Sequence, residues 1–267
     1  MPSLDELLQK LWEDFVGFNP HALAIHDLLA RRGETVVNDH IAFRTYDHPK
    51  LNIKVLARSF IEFGYQARGD YCFEAKKLNA KHYEHPESSR PKVFISELKL
   101  AECSENLNRI VLALIDQVDS NITNRVDLPV AGQPWEVSFA DYQRLADESE
   151  YAAWLAAFGF RANHFTVDVG AMEGFESLEQ FNAFLKEAGF EFNASGGEIK
   201  GSPQLYLEQS STLAGEVEVR FSDGPHRIPA CYYEFARRHL LPNGSRFEGF
   251  VARSADKIFE STDRRES

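Results

Sequence analysis

Two segments far apart in the chain carry the same order of signals, and this duplication limits the possible folds more than any other feature. Asp39-His40 begins a strand-like run in "NDHIAFRTYDHP", and Asn163-His164 begins another in "NHFTVDV". His40 precedes Gly64 of "IEFGY" by 24 residues and His164 precedes Gly189 of "LKEAGF" by 25, each glycine ending a helical pattern. Each half then closes on a strand holding one glutamate, Glu97 in "VFISEL" and Glu234 in "CYYEFA". Such self-similarity predicts a pseudo-symmetric α+β protein whose halves, about residues 36–100 and 160–238, share a core.

Helical patterns surround the two halves. Ser3 followed by Glu6 is a capping box, and Leu4, Leu7, Leu8, Leu11 and Phe15 form one stripe, so a first helix covers about 4–17. Asn19-Pro20 starts a second helix that Gly33 ends, giving a helical region over 4–32. A helix near 51–63 and strands near 70–76 and 92–99 complete the first half. Ser104 caps a helix to about 118, a further helix spans 141–158, and the second half continues through "LYLEQSS" (205–211) and a long segment at 216–238. With a helix at the C-terminus, the expectation is a single domain over 1–267 with its helices packed around the repeat.

Composition narrows the function classes. Hydrophobic residues make up 43% of the 267, enough for a sizeable core. A net charge of −12 disfavours nucleic acid, because phosphate binding needs concentrated lysine and arginine. An anionic substrate would therefore need specific arginines acting against the global field. Three widely spaced cysteines, Cys72, Cys103 and Cys231, argue against both a disulfide framework and a thiolate metal site. No apolar run approaches the roughly 20 residues that span a bilayer, and the N-terminal pattern is acidic and amphipathic, so the expected protein has no membrane partner and is cytoplasmic.

Alternation along the strands brings chemistry into the repeat. His40, Ala42 and Arg44 share one face while Ile41, Phe43 and Thr45 share the other; His164, Thr166 and Asp168 group likewise, as do Tyr232, Glu234 and Ala236. His40, His164 and Glu234 can thus converge in one cavity between the halves. Two imidazoles and a carboxylate are the set that leaves open positions on a ferrous ion. Arg44, two strand positions on from Ala42, is placed for a bidentate pair with a substrate carboxylate, its alternative being an ion pair with Glu97. The repeat makes Glu97 and Glu234 equivalent, so the carboxylate ligand stays open between them.

Other clusters carry less. His226 in "SDGPHRIP" lies at an apparent turn where it can line the cavity mouth, and His82 and His85 in "HYEHP" read as part of an exposed loop. "ASGGEIKGSP" lacks the strand and helix that a nucleotide-binding glycine loop needs.

The segments "DHIAFRT", "NHFTVDV", "GSPQLYLEQSST", "IPACYYEFARR" and "FEGFVARSADKIFEST" together resemble the 2-oxoadipate dioxygenase/decarboxylase family, over about residues 5–262. That family is similar in fold to the vicinal oxygen chelate superfamily, in which paired βαβββ modules form a curved metal-binding cup. The resemblance implies Fe(II) held by His40, His164 and Glu234, with Arg44 on the substrate carboxylate and Ser210 as a lesser second anchor. It implies a small 2-oxo dicarboxylic acid and O2 as the reacting partners, 2-oxoadipate giving 2-hydroxyglutarate and CO2 in lysine catabolism. "RFEGFVARSADKIFES" would then be a lid helix, with Phe247, Phe250 and Phe259 excluding water.

Two competing readings remain open at the level of sequence. One is a glyoxalase-like isomerase or lyase in which Glu97 completes a four-ligand site. The other is a non-catalytic protein of the same cup shape that binds a small anion.

Overall fold

The computed structural model describes residues 3–251. Its first element, α1 (Leu4–Phe18), starts at the anticipated capping box: Ser3 Oγ accepts from the Glu6 N–H at 3.2 Å, and Glu6 accepts from the Ser3 N–H at 2.7 Å. α2 (Pro20–Arg31) follows directly, with Asn19 as its N-cap. Leu7, Leu11 and Phe15 of α1 are buried, and the Phe15 and Phe165 rings lie 5.0 Å apart, so this helix packs on the middle of the sheet.

The first module runs β1 (Asn38–Tyr46), α3 (Ile53–Ile61), β2 (Gln66–Phe73), β3 (Leu78–Glu84) and β4 (Lys92–Leu98). Four helices then bridge to the second: α4 (Glu105–Asp116), the short α5 (Ser120–Thr123), α6 (Phe139–Glu148) and α7 (Glu150–Phe158). The expected helix at 141–158 is thus broken at Ser149, whose backbone is extended and whose Oγ accepts from the Ala152 N–H at 3.2 Å. The second module comprises β5 (Ala162–Asp168), α8 (Leu178–Glu187), β6 (Lys200–Ser202), β7 (Leu207–Ser211), the hairpin β8 (Glu216–Phe221) and β9 (Gly224–Pro229), and β10 (Tyr232–Arg238).

One curled eight-stranded sheet, in the order β2-β3-β4-β1-β5-β10-β7-β6, unites the modules. The order is the same read outward from the centre on either side, with β1 corresponding to β5 and β4 to β10. The two histidine strands meet antiparallel at the middle, while β4 and β10 run parallel to β1 and β5. The βαβββ duplication read from the sequence is therefore the architecture, and β8 with β9 forms a separate two-stranded insertion in the second half.

Two expectations are corrected here. Residues 78–84 are a strand rather than an exposed loop, and His82 is buried on it at 3% exposure. The segment 239–251 is an irregular strap with a turn closed by a Leu240–Arg246 bridge, so the described start of the anticipated lid, 246–251, is not helical; the rest of that lid, including Phe259, lies outside the described residues.

Candidate metal centre

The central seam sets the geometry of the site. Across it, Ala42 faces His164 and His40 faces Thr166; on the far side of β5, Tyr232 pairs with His164 and Glu234 with Thr166. Three side chains from three neighbouring strands therefore rise from the concave face around Thr166. His40 Nε2 lies 3.5 Å from one Glu234 oxygen and His164 Nε2 lies 3.3 Å from the other. One ligand atom from each of His40, His164 and Glu234 falls within 4.8 Å of the others. All three residues are buried, with exposures of 2%, 4% and 0%.

Each imidazole is oriented by the residue before it. Asp39 Oδ1 accepts from His40 Nδ1 at 2.7 Å, and Asn163 Oδ1 accepts from His164 Nδ1 at 3.0 Å. Holding the proton on Nδ1 leaves both Nε2 atoms as acceptors on the Glu234 side, that of His40 also meeting the Thr166 hydroxyl at 3.1 Å. Arg238 clamps Asp39 through Nε at 2.6 Å and Nη2 at 2.9 Å. Burial works to raise the Asp39 carboxyl, but the Arg238 and His40 contacts outweigh it and hold it well below its ordinary value. Gln209 on β7 donates to Glu234 at 2.6 Å, fixing the third side chain.

This arrangement could hold a cation. Two imidazole lone pairs face a carboxylate, and Glu234 Oε2 has no hydrogen-bond partner among the described residues. Burial raises the Glu234 carboxyl and pushes the His164 imidazole well below its ordinary value, so desolvation opposes the charged form of each. A divalent ion between the three would offset that desolvation. The donor set of two imidazoles and one carboxylate fits a metal with open positions.

Arg44 is fully buried behind Ala42 and pairs with Glu150 of α7 at 3.0 Å, not with Glu97. Its guanidinium carbon lies 4.8 Å from the Tyr151 ring centroid and 5.1 Å from that of Trp154. Burial opposes its charge, but Glu150 outweighs that and raises its pKa further, so the cation is permanent. With Nη1 taken by Glu150, the Nε and Nη2 edge has no partner among the described residues. Glu150 and the α7 rings are contributions that no sequence motif announced.

Three expected positions fall elsewhere. Glu97 pairs in register with Thr45, so it lies on the opposite face, where its carboxylate accepts from the Ile53 N–H at 2.9 Å at the start of α3. In register with Ala42, as Glu234 is with Thr166, stands a residue that cannot bind metal, Phe94. Ser210 pairs with Phe235 and donates to Asn182 of α8 at 2.8 Å on the helical side; its neighbour Gln209 holds the concave position. His226 stacks on Phe139 at 3.7 Å in the inserted hairpin and is not brought to the cluster.

The strap covers the first-module side of the site. Phe250 stands edge-on to His40 at 4.8 Å and lies 4.9 Å from the Phe94 ring and 5.3 Å from the His82 ring. Arg238 Nη1 donates to the carbonyls of Phe247 and Gly249, and Arg246 pairs with Asp168 at 2.5 Å. Phe247 itself lies near Tyr206, 6.2 Å between rings, rather than over the ligands.

Fold and site together define a paired-module cup with a buried His-His-Glu cluster and an arginine alongside it. A solved glyoxalase-superfamily protein from Ralstonia eutropha JMP134 shares this fold, at 20% identity and a TM-score of 0.76 over 92% of this chain and 84% of that one. The family model described as 2-oxoadipate dioxygenase/decarboxylase matches residues 7–247, and the chain belongs to that family. The chloroplastic/amyloplastic 2-oxoadipate dioxygenase/decarboxylase of Oryza sativa subsp. japonica is 35% identical, over 96% of this chain and 78% of its own length. The structure of the Oryza sativa hydroxyglutarate synthase in complex with 2-oxoadipate is 33% identical with a TM-score of 0.89, covering 97% of this chain and 91% of that one. A Shewanella frigidimarina NCIMB 400 protein bearing a provisional hydrolase label is 50% identical with a TM-score of 0.90, over 94% of this chain and 99% of that one.

Proposed function

We propose that this protein is an Fe(II)-dependent dioxygenase/decarboxylase converting 2-oxoadipate and O2 to 2-hydroxyglutarate and CO2. The observation that carries this reading is the pairing of a buried His40-His164-Glu234 cluster with the unpartnered edge of Arg44 on the same concave face. Membership of the family and the names of its relatives support the substrate. The equation balances without a further reductant or cosubstrate: one carbon leaves as CO2, and both atoms of O2 are accounted for in the products.

Held by His40, His164 and Glu234, Fe(II) would supply the open positions and the redox capacity that a 2-oxo acid and O2 need in order to react. The protein's own residues decide what binds and how. Arg44 lies two strand residues, about 6.6 Å along the backbone, beyond Ala42, which faces His164, so its guanidinium stands apart from the cluster on the same face. A substrate with its oxo-acid end at the cluster would thus reach the Nε–Nη2 edge with its distal carboxylate. Glu150 and the Tyr151 and Trp154 rings hold that edge in place. Ala42 leaves the intervening space open, and Phe250 excludes water on the His40 side.

Glu97 lies on the other face, which removes the fourth ligand that the isomerase alternative required. Oxygen-electrode measurement with product analysis tests the proposal. Protein loaded with Fe(II) under argon should consume one O2 for each CO2 and 2-hydroxyglutarate formed from 2-oxoadipate. Turnover of 2-oxoadipate without O2 uptake would contradict it.

A further inference from the structure

Tyr232 stands two residues before Glu234 on the same face, and its ring stacks on His164 at 4.6 Å with the planes 28° apart. The residue is entirely buried, yet its hydroxyl has no hydrogen-bond partner among the described residues. Interior hydroxyls are normally paired, and an orphaned one implies a partner that arrives later.

Register brings Tyr232 toward Arg44. His164 pairs with Ala42 on one side and with Tyr232 on the other, all on the concave face, and Arg44, next on that face beyond Ala42, lies close enough to Tyr232 for the two to interact electrostatically. Arg44 brings an unpartnered Nε and Nη2, and Tyr232 an unpartnered hydroxyl. Three donors without acceptors thus line one end of the cup, across which α7 lies; Trp154 of that helix donates to the Ala230 carbonyl at 2.7 Å.

We infer that Tyr232 is a specificity-determining residue, its hydroxyl donating to the distal carboxylate of the substrate while Arg44 holds the same group through Nε and Nη2. Both carboxylate oxygens are then engaged by three donors, and a substrate with an apolar tail leaves all three buried and unpaired. The inference rests on the proposed 2-oxo diacid reading and extends it to the residue that distinguishes a charged tail from a neutral one.

Calorimetric titration of the Fe(II)-loaded protein under argon tests it, with 2-oxoadipate and with 2-oxohexanoate, which carries a methyl group where the diacid has its second carboxylate. Tyr232→Phe should weaken 2-oxoadipate binding about tenfold or more and leave 2-oxohexanoate within about twofold. Thermal unfolding of the ligand-free variant should show an unchanged or raised midpoint, because the substitution removes an unsatisfied buried group. Equal effects on the two acids, or no effect on either, overturn the assignment. A lowered midpoint overturns it as well, since the hydroxyl would then serve the fold. Wild-type protein that binds both acids equally would remove the carboxylate receptor altogether. Failure of the proposed reaction would appear separately, as absent O2 uptake by wild-type protein.

Discussion

Asp39 accepts from His40 Nδ1 at 2.7 Å while Arg238 grips the same carboxylate at 2.6 and 2.9 Å, so the first imidazole of the cluster is oriented by a buried ion pair. Asp39→Asn keeps an acceptor for His40 but sets an amide against the Arg238 donors. Leaving that guanidinium without its counter-charge should cost about 3–5 kcal/mol of stability. Metal affinity should fall about 10- to 100-fold as the imidazole exchanges a charged orienting partner for a neutral one. Urea unfolding and metal titration of the variant check the two effects independently.

Glu97→Gln should retain a full complement of metal, because the side chain serves α3 from the opposite face. Burial raises the Glu97 carboxyl above its ordinary value, so the folded state holds the proton more tightly than the unfolded chain. Stability from this group is present at low pH and declines as pH rises from the ordinary carboxylate value through the raised one. Unfolding curves across that window should show the decline in the wild type and its absence in Glu97→Gln.

Arg44→Ala should bind metal normally and lose substrate. The loss of charge-assisted hydrogen bonds corresponds to about 2–3 kcal/mol, or roughly 30- to 150-fold in KM for 2-oxoadipate. Arg44→Lys keeps the charge but loses the planar edge, and should recover less than half of that free energy. Steady-state kinetics with metal content measured on the same samples would reveal an opposite pattern, in which iron rather than KM changes.

Phe250→Ala removes the ring that stands against His40, Phe94 and His82. Deleting a buried phenylalanine costs about 3 kcal/mol or more where the surroundings cannot relax. Water should also reach the cluster from the strap side, so O2 uptake should exceed 2-hydroxyglutarate formed. Parallel oxygen-electrode and product measurements report that ratio, which stays near one if the strap has no such part.

The duplication was legible because histidine, helix and closing strand recur at matched spacing in both halves. What the spacing could not supply was register. Glu97 and Glu234 both sit on closing strands, but the first pairs with Thr45 and the second with Thr166, which are on opposite faces relative to their histidines. A shift of one residue turns every side chain over, and Ser210, offered as a lesser anchor, likewise stands one position from Gln209, which holds the concave face. His82 was obscured by its charged neighbours, although "LNAKHYE" already alternates as a half-buried strand does. The part played by Glu150 depends on a contact with Arg44 across 106 residues, which no local pattern encodes.

The central claim, that His40, His164 and Glu234 hold one catalytic iron, is tested most directly by Fe(II) titration under argon of wild-type and His164→Ala protein. Wild-type protein should bind one Fe(II) per chain, and the variant, left with one imidazole and Glu234, should bind none at the same concentrations. Full occupancy in His164→Ala would contradict the assignment.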